Sequence, residues 1–215
     1  MVIASEVEGM TANLSAMKLL LATRNQNKTR EFAQVLCSNF TLRDLTSQHD
    51  LPEILETGRS FEENAVIKAT TISKIFPHEM VIADDSGLEV RTFEGAPGIF
   101  SARYAGENVN DRRNVEKLLR ELQGATERSA RFRCVIALAK NGKLMTTVAG
   151  EVGGRITKSP RGENGFGYDP IFIPEGFEET FAELPPETKN AVSHRAKAVA
   201  ELVRYFNTAR RLARK

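Results

Sequence analysis

The apolar residues of this chain come in short runs that break off abruptly into polar loops. Leu19-Leu20-Leu21-Ala22 ends in Thr23-Arg24-Asn25-Gln26-Asn27-Lys28, after which Phe32, Val35 and Leu36 recur at helical spacing. A run of this kind suits a buried strand, and the change of period behind it predicts strand, loop and helix in that order, with Asn25 or Asn27 as the helix cap. Met80-Val81-Ile82-Ala83 repeats the pattern and breaks into Asp84-Asp85-Ser86-Gly87, expected to be a turn before Leu88-Glu89-Val90 resumes extended character. Between these strands, Ser60 and Glu63 have capping-box spacing ahead of a helix that carries Ala65, Ala69, Ile72 and Phe76 on one stripe. Asn64 and Lys68 lie one turn apart on a neighbouring face, and Pro77 ends the helix. Alternation of this kind predicts a layered α/β protein.

Val115, Leu118, Leu119 and Leu122 define a further helix. Beyond Gln123-Gly124-Ala125-Thr126 the pattern changes to strands, so a shift between two lobes is expected near residue 124. Phe132, Cys134, Ile136 and Leu138 alternate at period two, and Gly142 supplies a hairpin reversal. The glycine-rich stretch 150–167 reads as a loop with at most short strands, and Asp169–Pro174 as one more strand. Ser193 is the expected cap of a last long helix with Ala196, Val199, Ala200, Val203 and Phe206 facing inward and a basic end at Arg204, Arg210, Arg211, Arg214 and Lys215.

Composition bounds the function. Thirty Lys and Arg against 28 Asp and Glu leave a net charge of +2 over 215 residues, which argues against a wholesale polyanion binder. Cys37 and Cys134 lack metal-ligand or disulfide spacing and read as small core residues of a protein in a reducing compartment. No apolar run reaches the ~20 residues of a membrane span. Met1–Ala16 has acidic residues and no basic one, unlike a secretory signal, so a cytoplasmic protein with an N-terminal extension is expected.

Asp84-Asp85 is the strongest local signal. Two adjacent carboxylates at the end of an apolar strand repel each other unless a cation or hydrogen-bond donors compensate, and a hard divalent ion shared with substrate phosphates would do so. The same residues also suit a solvent-facing turn. Glu56 and Glu63 are further acidic candidates, although Glu63 is equally a helix cap. The loop Thr23–Lys28 has donors and a helix start that suit phosphate, yet it lacks the glycines and the final Lys-Ser/Thr of a P-loop. Phe166, between Gly165 and Gly167, could lie against a planar base or belong to the core. Lys189, His194 and Arg195 could direct donors at base carbonyls or phosphate, or form the polar first turn of a helix. No nucleophile elbow, HExxH pair or GxGxxG fingerprint is present.

In order and spacing these segments resemble the Ham1/RdgB family of inosine and xanthosine triphosphate pyrophosphatases, from Met17 to about Phe206. The matching motifs are Thr23–Lys28, Glu56-Thr57-Gly58 with Phe61–Ala65 and Lys68, Ala83–Gly87, Gly95–Tyr104, Gly165–Pro170 and Ser193-His194-Arg195. The resemblance implies an elongated mixed β-sheet with flanking helices, two lobes around a central nucleotide-binding cleft, over a single domain 17–206 followed by a basic tail 207–215. It further implies a homodimer that hydrolyses non-canonical purine triphosphates with Mg2+ and has neither a membrane nor a stable nucleic-acid partner. Carried over residue by residue, it makes Thr23, Asn25, Lys28 and Lys68 phosphate ligands, Glu56 and Asp84 metal ligands, and Asp85 the residue that activates water. Ser86, Phe166, Tyr168, Asp169, Lys189, His194 and Arg195 would surround the base. A pyrophosphatase for another modified nucleotide, and a noncatalytic nucleotide- or RNA-binding protein resting on the basic tail, are the alternatives.

Overall fold

A computed structural model describes residues 16–36, 39–48, 50–107 and 110–212; Cys37, most of the expected N-terminal extension, and Arg214 and Lys215 lie outside the described residues. Six strands form one mixed sheet in the order β2-β1-β3-β4-β5-β6. β1 (Met17–Leu21) pairs in parallel with β2 (Phe40–Arg43) and β3 (Met80–Val90). β3, β4 (Ser129–Lys140), β5 (Lys143–Ile156) and β6 (Phe172–Pro174) follow one another antiparallel. The helices are α1 (Gln26–Val35), α2 (Phe61–Ile75), α3 (Asp111–Glu121), α4 (Pro186–Val192) and α5 (His194–Leu212).

Period two along β4 puts its residues into different cores. Cys134, Ile136 and Leu138 pack with Phe32 of α1 and with Val199, Leu202 and Phe206 of α5. Val135, Ala137 and Ala139 pack on the opposite face against Phe61, Ala65, Ala69 and Ile72 of α2. Farther along the long strands, Leu88, Val90, Phe132, Val152 and Ile156 form a third cluster with Val115, Leu118 and Leu122 of the α3 segment and with Phe172 and Phe181. The sheet therefore serves two lobes joined through β3, β4 and β5. β1 meets β3 only through Leu19–Leu21 against Met80–Ile82, and the segment 96–101 covers the same edge again from Leu88 to Val90, so between Ala83 and Gly87 β3 keeps β4 on one side and leaves its other edge open.

Several expectations are corrected. Asp84–Gly87 is not a turn: β3 runs unbroken, with Asp84 opposite Ile136 and Gly87 opposite Arg133. Gly87 is needed for close approach instead, since a Cβ there would stand 2.4 Å from the Ser101 hydroxyl and 2.5 Å from the Gly98 carbonyl oxygen. The expected loop from Gly150 is strand as far as Ile156. Gly150 lets α5 lie on β5, because its Cβ would meet Ala198 N and His194 O, each at 2.3 Å. Of the expected strand Asp169–Pro174, the first half is a 3-10 turn and only Phe172–Pro174 pairs. In α5, Ala200 is exposed, whereas Ala198 and Leu202 are buried. Ser60 does cap α2 by accepting from Glu63 N, but the Glu63 carboxylate reaches back to Arg59 N. The turn between β4 and β5 has both Asn141 and Gly142 at positive φ, as a tight hairpin requires.

Overpacking at Gly150 has a readable consequence. Gly150→Ala should lower stability by about 1–3 kcal/mol and shift the first turn of α5. Denaturant midpoints measure it, and a change below about 0.5 kcal/mol, the usual scale of inconsequential surface substitutions, would contradict the close packing.

Candidate active site

A cavity of about 410 Å³ lies along the open edge of β3, within the size range of small-molecule sites. β1 delivers Thr23 and Asn25 to it, α1 Lys28, the segment ahead of α2 Glu56, and α2 itself Lys68. β3 contributes Asp84, Asp85 and Ser86. The 166–169 loop contributes Phe166, Tyr168 and Asp169, α4 Lys189, and the start of α5 His194 and Arg195. All the site residues expected from the sequence thus share one cleft.

Strand alternation explains how two neighbouring aspartates differ. Asp84 shares a face of β3 with Ile82 and lies toward α1 and α5, where its Oδ2 is 3.0 Å from Lys28 Nζ, accepts from the Ser86 hydroxyl at 3.0 Å and is 3.5 Å from Arg195 Nη2. Asp85 points to the α2 face, where its Oδ2 accepts from Asn64 Nδ2 at 3.0 Å and its Oδ1 lies 3.6 Å from Lys68 Nζ. Lys68 donates to Glu56 Oε1 at 2.8 Å.

The surroundings push the two carboxyls apart. Burial by itself raises Asp84, but Lys28, then Arg195 and Lys68, overcome it and hold the group well below the usual carboxylate range. Burial also raises Asp85, and with Glu56 adding to it the attraction of Lys68 is not enough to reverse the shift, so Asp85 is the more basic of the two. A pair driven apart in this way separates a permanent anion from a proton acceptor. Burial works against the charge on Lys68, yet Asp85, Asp84 and Glu56 outweigh it and keep the ammonium protonated.

At the other end of the cleft a buried ionic group orders the polar residues. Glu31 of α1 accepts from Lys189 Nζ at 2.5 Å and pairs through its second oxygen with Arg195, while Lys189 also donates to Asp169 Oδ2 at 2.5 Å. Burial opposes ionisation of Glu31, and Arg195 and Lys189 overcome it. Ser193 caps α5 by accepting from Ala196 N at 3.1 Å. Arg195 therefore stands in the first turn of a helix, where the dipole disfavours a cation, and the carboxylates of Glu31 and Asp84 offset this. Its Nη2 donates to the Ser86 hydroxyl at 2.9 Å, which ties Ser86 to both Arg195 and Asp84.

Phe166 is half-buried, with Lys189 Nζ 5.2 Å and Arg195 Cζ 5.8 Å from its ring centre. His194 is buried with its ring nearly parallel to Phe132 at 4.8 Å, and burial first, then Arg195 and Lys189, pushes its pKa well below the usual imidazole value. It is a neutral ring whose Nδ1 has no protein partner among the described residues. Tyr168 is also buried and its hydroxyl donates to Ser101 O at 2.9 Å, so it braces the loop. Asn25 Oδ1 accepts from the amides of Asn27 and Lys28 at 3.0 and 3.2 Å, which commits two α1 donors to the cap.

Two functional-looking residues escaped the sequence reading. Asn64 had the right helical offset from Lys68, but nothing marked it as the partner of Asp85. Glu31 could have been sought from charge balance, because Lys189 and Arg195 need a shared anion once both are buried.

The donors around Asp84 suit a hard cation. Asp84 Oδ1 is buried and has no hydrogen-bond partner among the described residues, and Glu56 and Asp85 add further carboxylate oxygens to the same cavity. Among the described residues no group of three or more metal-ligating side chains is found.

A family model described as the Ham1 family matches residues 19–205. The chain belongs to the Ham1 family. Among Ham1 relatives, the dITP/XTP pyrophosphatase of Bacillus licheniformis is 50% identical over 188 residues, covering 86% of this chain and 95% of that protein. The Ham1 protein of Staphylococcus aureus superimposes with a TM-score of 0.80 at 40% identity, over 89% of this chain and 99% of that one. A structure named nucleoside-triphosphatase / dITP/XTP pyrophosphatase from Mycobacterium abscessus gives 0.70 at 44% identity, over 86% and 98%. The Ham1 fold and the two-lobed sheet found here agree.

Proposed function

We propose that this protein hydrolyses the non-canonical purine nucleoside triphosphates ITP, dITP and XTP to the nucleoside monophosphate and pyrophosphate, and so removes them from the nucleotide pool. The observation that carries the reading is the single cleft that the Asp84–Asp85 pair, Lys28 and Lys68 line together with Phe166 and the Lys189–Arg195 group. The names borne by the relatives from Bacillus licheniformis and Mycobacterium abscessus point the same way.

Lys28 and Lys68, with Thr23 and Asn25 beside them, neutralise the triphosphate and orient it along the open edge of β3. Asp85 holds the attacking water and takes its proton on the carboxylate that its surroundings make basic. Water attacks the alpha phosphorus and the bond to the pyrophosphate group breaks. Glu56 and Asp84 would hold magnesium, which when bound screens charge on the phosphate oxygens.

Phe166 stacks on the purine, while Lys189, Arg195 and the neutral His194, with Ser86 and Asp169 holding them in place, face its edge. Hypoxanthine and xanthine offer O6 and a protonated N1, whereas adenine offers a 6-amino group. Fixed cationic donors therefore reject adenine, since each buried polar group left unpaired costs about 1–3 kcal/mol. The reading extends to a cytoplasmic homodimer built on 17–206 and acting on free nucleotide; among the described residues no helix is long and apolar enough to cross a membrane. Sedimentation velocity tests the dimer.

A triphosphate panel tests the base reading. Turnover of ITP and XTP should exceed that of ATP by orders of magnitude, and comparable efficiencies would defeat it. Phe166→Ala should weaken nucleotide binding by about 1–3 kcal/mol, taking base stacking on aromatic rings in single-strand recognition as the guide. Unchanged affinity in a direct binding assay would move the ring out of the base site.

A further inference from the structure

Phe166 stands between Gly165 and Gly167, which both take positive φ, 76° and 62°, the region that favours glycine. The loop is held from within by Asp169, whose amide also donates back to Phe166 O at 3.2 Å, and from outside by Asp111. The Phe166 amide donates to Asp169 Oδ2 at 2.8 Å, and the next amide, Gly167 N, donates to Asp111 Oδ2 at 2.7 Å. The two peptide N–H groups that bracket the Phe166 Cα are thus gripped by carboxylates from different parts of the chain. Asp169 is buried and already engaged with Lys189. Asp111 is exposed and lies 56 residues earlier in the sequence, on the rim of the same cleft. Its own helix has little need of its side chain, since Asn110 caps α3 by accepting from Arg113 N at 3.0 Å.

We infer that Asp111 is a positioning residue for base recognition: by holding the Gly167 amide it fixes the orientation of the Phe166 ring before nucleotide arrives. The inference rests on the reading of Phe166 as the base platform. Without Asp111 the Gly167 amide loses its partner while Asp169 and Tyr168 still hold the loop, so the remaining order must be completed on binding, and that cost appears in substrate affinity. The phosphate and water-activating groups stand elsewhere in the cleft, so the chemical step is spared.

The test is a double-mutant cycle on the full chain with ITP, alongside thermal unfolding. Asp111→Ala should raise KM by roughly three- to tenfold with kcat nearly unchanged, the range expected for one lost hydrogen bond. Asp111→Asn, whose amide oxygen can accept the same bond, should restore a KM close to that of the wild type. In a Phe166→Ala background the effect of Asp111→Ala should vanish. An unchanged KM in Asp111→Ala, or the same rise with and without the Phe166 ring, overturns the inference while leaving the base platform intact. A Phe166→Ala variant with normal KM overturns both.

Discussion

Asp85→Asn is expected to lower kcat by about 10²–10⁴-fold, the usual contribution of a positioned general base, with the fold retained. The argument rests on what the substitution leaves alone. Asn64 Nδ2, which donates to Asp85 at 3.0 Å, can donate equally to an amide oxygen, and Lys68 keeps Glu56 at 2.8 Å. β3 pairs through its backbone and does not depend on the side chain. What disappears is the only group in the pair whose surroundings favour taking a proton: Asp84, held ionised by Lys28, Arg195 and Lys68 against its burial, is too weak a base to replace it. Initial rates at saturating ITP, with thermal unfolding on the same preparation, make the measurement. Turnover within a few-fold of wild type would remove Asp85 from the mechanism.

Glu31→Ala is expected to be the most destabilising substitution near the cleft. Glu31 is buried and gives one oxygen to Lys189 and the other to Arg195. Removing one partner of a buried ion pair costs about 3–5 kcal/mol, because the remaining charge has lost its compensation without regaining water. Asp169 still holds Lys189 and Asp84 still faces Arg195, which places the loss toward the lower end of that range. Glu31→Gln keeps an acceptor for one cation and should lose less. Denaturant unfolding of the two variants checks the order, and a loss below about 1 kcal/mol for the alanine variant, the scale of an exposed pair, would show that water screens the group.

The contrast between these two residues marks what the sequence makes legible. Asp84 and Asp85 follow an apolar run, so local pattern marks the pair, and the resemblance to a known family gives Asp85 its role within it. Glu31 lies in a helix where an acidic residue is unremarkable, and its meaning depends on Lys189 and Arg195, more than 150 residues away. The same division runs through the fold. β1, α1, α2, the β4–β5 hairpin and the Ser193 cap follow from period and capping residues, which are local. The glycines of β5 and the Asp84–Gly87 segment looked like loop and turn because both are rich in turn formers; their actual causes lie elsewhere in the chain, the approach of α5 at Gly150, of Glu175 at Gly153, of Phe172 and Ile173 at Gly154, and of Ser101 at Gly87. β2 and α4 are too short to declare a period. Composition could not anticipate that strand alternation sends Asp84 and Asp85 to opposite faces, which is what separates their chemistry.

The central claim is that water held by Asp85 attacks the alpha phosphorus of a purine triphosphate in this cleft. Hydrolysis of ITP in heavy-oxygen water, with mass analysis of both products, tests it most directly. The account predicts inosine monophosphate carrying the heavy oxygen and unlabelled pyrophosphate. Label in the pyrophosphate, or release of orthophosphate as the first product, would contradict it.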